Sequence, residues 1–146
     1  MSQENVEILQ RLSLPSDTDL VQLVHDDVAW SALTDRVAPF VDPEAKTHIG
    51  VGMGEATRTY VGFHGLREAL TDWYGVWDEY YTAVLETIDC GERVLRLTEH
   101  TGRMRGSPST VTMRAAEIWS FRDGMIVGLE TYPDHDEGRR AVGLEE

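Results

Sequence analysis

Glu117 is an acid at a position where the surrounding pattern calls for an apolar side chain. Along Ser109–Arg122, Val111, Met113, Ala115, Trp119 and Phe121 alternate with Thr112, Arg114 and Ser120. This is the two-residue period of a half-buried strand, and Glu117 falls on its apolar register between Ala115 and Trp119. A carboxylate taken out of water without a partner costs several kcal/mol or keeps its proton. A Glu ordinarily titrates near pH ~4.3, and an apolar cavity raises that value. Protonated, it can donate to a developing enolate; ionised, it can take a proton. Neither role requires a metal or an organic cofactor. Tyr60, Trp73, Trp77, Met113, Trp119 and Leu129 are the candidate walls of such a cavity, although aromatics and Met at these spacings also serve as plain core.

The remaining chemistry-bearing residues point to less. His100 lies on a strand whose faces the sequence does not distinguish, and His64 in Gly62-Phe63-His64-Gly65 shapes a helix start. His25 and His135 have no second ligand at metal-like spacing, so no metal is expected. Gly50, Gly52 and Gly54 alternate, but no helix opens after them as a dinucleotide fingerprint requires. Cys90 is the one cysteine. It leaves no disulfide framework and nothing that marks an oxidising compartment.

The chain has 146 residues, with 26 Asp and Glu against 13 Lys and Arg, a net charge of −13. That balance argues against nucleic acid and anionic membrane surfaces as partners. The acidic N-terminus lacks a signal-peptide layout, and no apolar run approaches a membrane span. A single cytoplasmic domain over residues 1–146 is the expectation.

The elements that must position Glu117 follow from periodicity. Val6, Ile8, Leu9 and Leu12 mark a helix stopped by Pro15. Ser16 or Asp17 can cap a second helix through Val24, and Asp26 or Asp27 a third carrying Val28, Trp30, Leu33 and Val37. Asp42-Pro43 reads as a turn, Ala45–Val51 as a first strand and Thr57–Val61 as a second. Leu66, Leu70, Trp73 and Trp77 recur at helical spacing up to about Asp78. Strands follow at Tyr80–Asp89, Arg93–Arg105, Ser109–Arg122 and Met125–Tyr132, the last two joined by the hairpin signal Asp123-Gly124. A short helix from Asp134 towards Leu144 closes the chain. Helices followed by long antiparallel strands give an α+β domain, a curled sheet packed by helices into a cone with an open mouth.

The run from Ala116 to Tyr132 (AEIWSFRDGMIVGLETY) resembles the signature of the SnoaL-like group of the nuclear transport factor 2-like superfamily. Ser2–Ile8, Tyr60–Glu68 and Trp73–Tyr80 agree with it. The resemblance implies a cone-shaped α+β (cystatin-like) domain related to polyketide cyclases, ketosteroid isomerases, epoxide hydrolases and non-catalytic binders. It implies an acid two residues before the strand-end aromatic, here Glu117 before Trp119. Counting from Phe40, it implies a proton-handling position on the first strand, here His48. The tyrosine donor of the isomerases corresponds to about Leu12, which cannot donate, so the chain departs from them there. The Asp-Arg-Asp set of the epoxide hydrolases is not assembled by Arg114 and Glu117, whose side chains point to opposite faces.

The resulting expectation is a small, mostly apolar organic ligand in the cone, with cyclase, isomerase or hydrolase chemistry by Glu117 assisted by His48. A binding or sensing module is the alternative, and a dimer with a filled cone a third. The resemblance further implies a homodimer through the outer sheet face, with Thr112, Arg114 and Ile118 in the contact.

Overall fold

The computed structural model describes residues 2–50 and 59–144. Three helices come first: α1 (Ser2–Leu12), α2 (Leu20–His25) and α3 (Asp27–Val37). Then come β1 (Val41–His48), β2 (Thr59–Val61), α4 (Gly62–Tyr74), β3 (Trp77–Asp89), β4 (Arg93–Met104), β5 (Thr110–Arg122), β6 (Met125–Tyr132) and α5 (His135–Ala141). The strands form one curved, unclosed sheet in the order β2-β1-β6-β5-β4-β3. Every neighbouring pair is antiparallel except β1 and β6, which run parallel. Register shifts in β3 between Val84 and Glu86, and between Ser120 and Phe121, add the local bend that such bulges produce. No helix among the described residues is long and apolar enough to cross a membrane.

Several boundaries differ from the sequence expectation, each for a visible reason. Asp42-Pro43 is no turn; it lies inside β1, where the pairing with β6 is interrupted between Val41 and Lys46. Proline cannot donate to a ladder, and Asp42 Oδ1 accepts the Glu44 N–H at 2.8 Å instead. The cap of α2 is Asp19, which accepts the N–H groups of both Val21 and Tyr80. It therefore fastens α2 to β3 as well as capping it. α4 ends at Tyr74 with Gly75 as its C-cap, so Trp77 opens β3 and does not continue the Trp73 face. The Asp123-Gly124 hairpin turns as expected, both residues having positive φ, the requirement of a two-residue turn that matches strand twist. Gly52, Gly54 and the end of the expected first strand at Val51 lie outside the described residues.

Apolar side chains gather in three clusters. Ile8 and Leu9 of α1 meet Val94, Phe121 and Ile126 at one end of the inner sheet face. Val24, Trp30, Tyr74, Trp77 and Tyr80 fill the other end. On the outer face α5 covers Leu95, Leu97, Ala116 and Ile118. Ile118, expected in a dimer contact, is instead buried beneath the chain's own C-terminal helix. Thr112 and Arg114 are exposed.

Candidate functional site

Between the two inner clusters lies a cavity of about 690 Å³, in the range of small-molecule sites. Its wall is mostly apolar, with Leu33, Phe63, Leu66, Leu70 and Leu129 among the contributors. The filled-cone alternative therefore does not describe this fold. On β5 the inward residues Met113, Ala115, Glu117 and Trp119 all open onto the cavity, so Glu117 occupies the face its register predicts.

Glu117 has company there. Arg96 stands directly opposite it on β4, with Nε 3.3 Å from Glu117 Oε1 and side-chain exposures of 12% and 15%. The same Oε1 accepts the indole N–H of Trp119 at 2.9 Å, while Oε2 has no hydrogen-bond partner among the described residues. The expected solitary carboxylate among greasy walls is thus corrected to a carboxylate facing a guanidinium. The row continues across the sheet as Thr87, Arg96, Glu117 and Thr131 in cross-strand register, and all four line the cavity.

Arg96 is held from three sides. Its Nη1 donates to Ser13 Oγ at 3.2 Å, and Ser13 Oγ in turn donates to the Leu9 carbonyl. Its guanidinium carbon lies 5.8 Å from the Trp119 ring centroid, within range of a cation–π attraction. Its Nε–H is buried and finds no hydrogen-bond acceptor among the described residues, because Glu117 Oε1 lies off the donor direction.

A second polar group occupies the other end. Thr98 Oγ1 donates to the Ala115 carbonyl at 3.0 Å and contacts His100 Nε2 at 2.9 Å. The Thr98 proton being used, Nε2–H is the donor in that contact, and His100 Nδ1 is left to accept Tyr80 O–H at 2.6 Å. Burial holds the His100 imidazole below its ordinary value, with Glu117 pulling the other way. Burial also pushes the Tyr80 phenol up to about 12, against a hydrogen bond from Trp73, with Glu117 adding to the rise. Tyr74, packed on Tyr80 at 4.9 Å, is likewise raised well above its ordinary value, by burial first and then by Tyr80 and Glu117. The charge of Glu117 is therefore felt at all three groups. Trp77 and Gly102 seat Tyr80 from behind: the Trp77 ring meets it edge-on at 5.1 Å, and a methyl on Gly102 would come within 2.6 Å of Trp77 and 2.9 Å of Tyr80.

Of the residues singled out in the sequence, the cavity takes Glu117, Trp73, Met113, Trp119 and Leu129. It does not take His48: Thr47 and Ile49 line it, and strand alternation turns the residue between them to the other face. Tyr60 is directed to Asp72, bonded at 2.7 Å, and Trp77 acts behind Tyr80. Arg96, Tyr80, Thr98 and Tyr74 were not anticipated. His100, left unassigned by the sequence, faces inward.

The family model described as a SnoaL-like domain matches residues 16–129. TerC, crystallised with polyporic acid, superposes with a TM-score of 0.65 at 19% identity, covering 95% of this chain and 98% of its own. A candidate SnoaL-like polyketide cyclase from Jannaschia sp. CCS1 gives 0.64 at 14% identity, over 89% and 85% of the two chains. A nuclear transport factor 2-like protein of unknown function from Burkholderia pseudomallei K96243 gives 0.64 at 17%, over 96% and 98%. At these identities the likeness shows the fold. No curated protein matches the sequence.

Proposed function

This chain belongs to the SnoaL-like family, and from that premise we propose that its cavity binds a small, largely apolar organic molecule and moves a proton next to a carbonyl group. The supporting observation is the state of Glu117. Oε1 is fixed by Trp119 and Arg96, which leaves Oε2 to accept a proton from the ligand. A positioned carboxylate is a competent general base. Tyr80 and His100 replace His48 as the second proton-handling element. The phenol proton already lies on a short bond to a neutral imidazole. Tyr80 can take a proton from the ligand as it passes its own to His100, or return one in reverse. No step needs a metal or cofactor. TerC was crystallised with polyporic acid, which supports small organic compounds as the first ligands to try.

Solvent deuterium exchange tests the reading without requiring the natural substrate. Incubated in D2O with 2-tetralone, the protein should speed exchange at the carbons beside the carbonyl, measured by mass spectrometry. Glu117→Gln keeps the acceptor for Trp119 and should lower that rate roughly 100-fold with little change in affinity, read from tryptophan fluorescence. If the ketone binds and exchanges no faster than in buffer, the cavity is a binding or sensing module. The largely apolar wall and the Arg96–Glu117 pair would equally suit that second role.

A further inference from the structure

Thr131 on β6 stands in direct cross-strand register with Glu117, and we infer that its hydroxyl receives the carbonyl oxygen of the ligand while Glu117 acts on the neighbouring carbon. This role for Thr131 rests on the proton-transfer reading above and adds the group that answers the charge such a transfer creates. Both side chains line the cavity. The Gly50 N–H donates to Thr131 Oγ1 at 2.8 Å. That bond fixes the oxygen and leaves its proton, which meets no acceptor among the described residues. A hydroxyl has one donor and two acceptor lone pairs, and one that already accepts is polarised towards donating. The Trp119 indole N–H is held by Glu117, Arg96 Nη1–H by Ser13 and the Tyr80 hydroxyl by His100. None of these three is turned to a ligand at Glu117.

Directly opposed side chains of an antiparallel pair have Cβ atoms about 5 Å apart. A C–C=O unit fits between such neighbours, its oxygen at one and its α-hydrogen at the other. Arg96 draws Oε1 towards β4, on the opposite side of β5 from β6, and Oε2 is the oxygen left to the ligand. Thr87 also lines the cavity, but it stands opposite Arg96 and two strands from Glu117, roughly 10 Å away at the usual strand spacing. When Oε2 takes the proton, the C–H bond breaks, a carboxyl O–H forms, and the electron pair moves to the carbonyl oxygen as an enolate. Negative charge thus leaves a carboxylate faced by a guanidinium and arrives on an oxygen in a largely apolar cavity. A donor aimed at the place where charge develops acts most strongly where water is excluded. Thr131 keeps its own proton throughout, and return of a proton from Glu117 to carbon restores the ketone. The pair therefore fits a ketone with hydrogen on the adjoining carbon. A hydrocarbon of the same shape offers nothing to either residue.

The test uses 2-tetralone carrying carbon-13 in its carbonyl group. Thr131→Val keeps the side-chain shape and removes the hydroxyl, whereas Thr131→Ser keeps the hydroxyl. Exchange in D2O at saturating ketone should fall roughly 100-fold in Thr131→Val, the lower end for removal of one such donor, and be largely retained in Thr131→Ser. The infrared carbonyl stretch of the bound ketone should lie at lower frequency in the wild type and Thr131→Ser than in Thr131→Val, because a hydrogen bond weakens the C=O bond. Affinity for tetralin, the same rings without the oxygen, should be equal in all three, showing that the cavity keeps its shape when Gly50 loses its acceptor. Thr131→Ala takes the place of the Val variant if that does not fold. Equal exchange in the wild type and Thr131→Val would overturn the role of Thr131 and leave Glu117 as the base. Slower exchange with an unshifted stretch, or with a changed tetralin affinity, would overturn it as well, the loss then being structural. Wild-type protein that binds 2-tetralone without any exchange would overturn the proton-transfer reading and this role with it.

Discussion

Arg96 and Glu117 face each other across β4 and β5 as a directly paired couple, 3.3 Å apart and both largely buried. Taking one member away leaves the other charged in a poorly solvated place. Breaking a buried pair by removing one partner typically costs about 3–5 kcal/mol. The residual exposure of both side chains puts this couple near the lower end, about 3 kcal/mol. Glu117→Leu and Arg96→Met should each lose roughly that amount in urea unfolding, and the double variant should lose less than either alone. Losses that simply add would mean the two charges do not interact.

Gly102 is required by what lies behind Tyr80. A methyl group there would press on Trp77 and Tyr80, and overpacking of this kind costs about 1–3 kcal/mol. Gly102→Ala should lower the melting temperature and, by moving Tyr80 against His100, depress 2-tetralone exchange. Adding Trp77→Leu should restore part of the stability, because the first clash is with the Trp77 ring. An unchanged melting temperature would contradict this seating of Tyr80.

Acid should weaken the fold partly through His100. Its folded-state value is held below the ordinary one by burial, so the unfolded chain takes the proton first. Stability from the neutral ring is complete above pH ~6.5, the unfolded value, and is lost as pH falls towards the folded one. His100→Gln, which can keep a hydrogen bond to Tyr80, should show a flatter decline between about pH 7 and 5 than the wild type. Urea midpoints across that interval measure the difference. Parallel curves would mean His100 is solvated.

Much of this arrangement was readable beforehand. The alternation in β5 put Glu117 on the inner face correctly because that strand is covered by apolar residues on one side through most of its length. β4 was opaque for the opposite reason: Val94, Leu95 and Leu97 are apolar on both faces, since helix α5 covers the outer one. Arg96 was still recoverable. A hairpin centred on Gly106-Ser107 pairs Arg103 with Thr110 and, following the ladder down, Arg96 with Glu117. His48 failed because a count from Phe40 carries no face information, whereas alternation next to Thr47 does. Trp77 looked like a helical residue because its spacing from Trp73 is right. Nothing in that spacing shows that Gly75 and Val76 break the helix first. Asp19 caps α2 through the Val21 N–H, but its second bond, to the Tyr80 N–H 61 positions away in the chain, is contained in no local pattern.

Thr98 is touched from both sides of the sheet. Its hydroxyl takes the His100 proton on the concave side, and its carbonyl receives His135 Nε2–H at 2.9 Å from the start of α5. Opposite it, the shifted register of β3 at Val84 and Glu86 interrupts the ladder. The C-terminal helix is thus wired to the floor of the chamber through one threonine. Loosening that helix would take the His135 partner away from the Thr98 carbonyl, so α5 is tied to the same threonine that holds His100 and is more than a cover for the outer face.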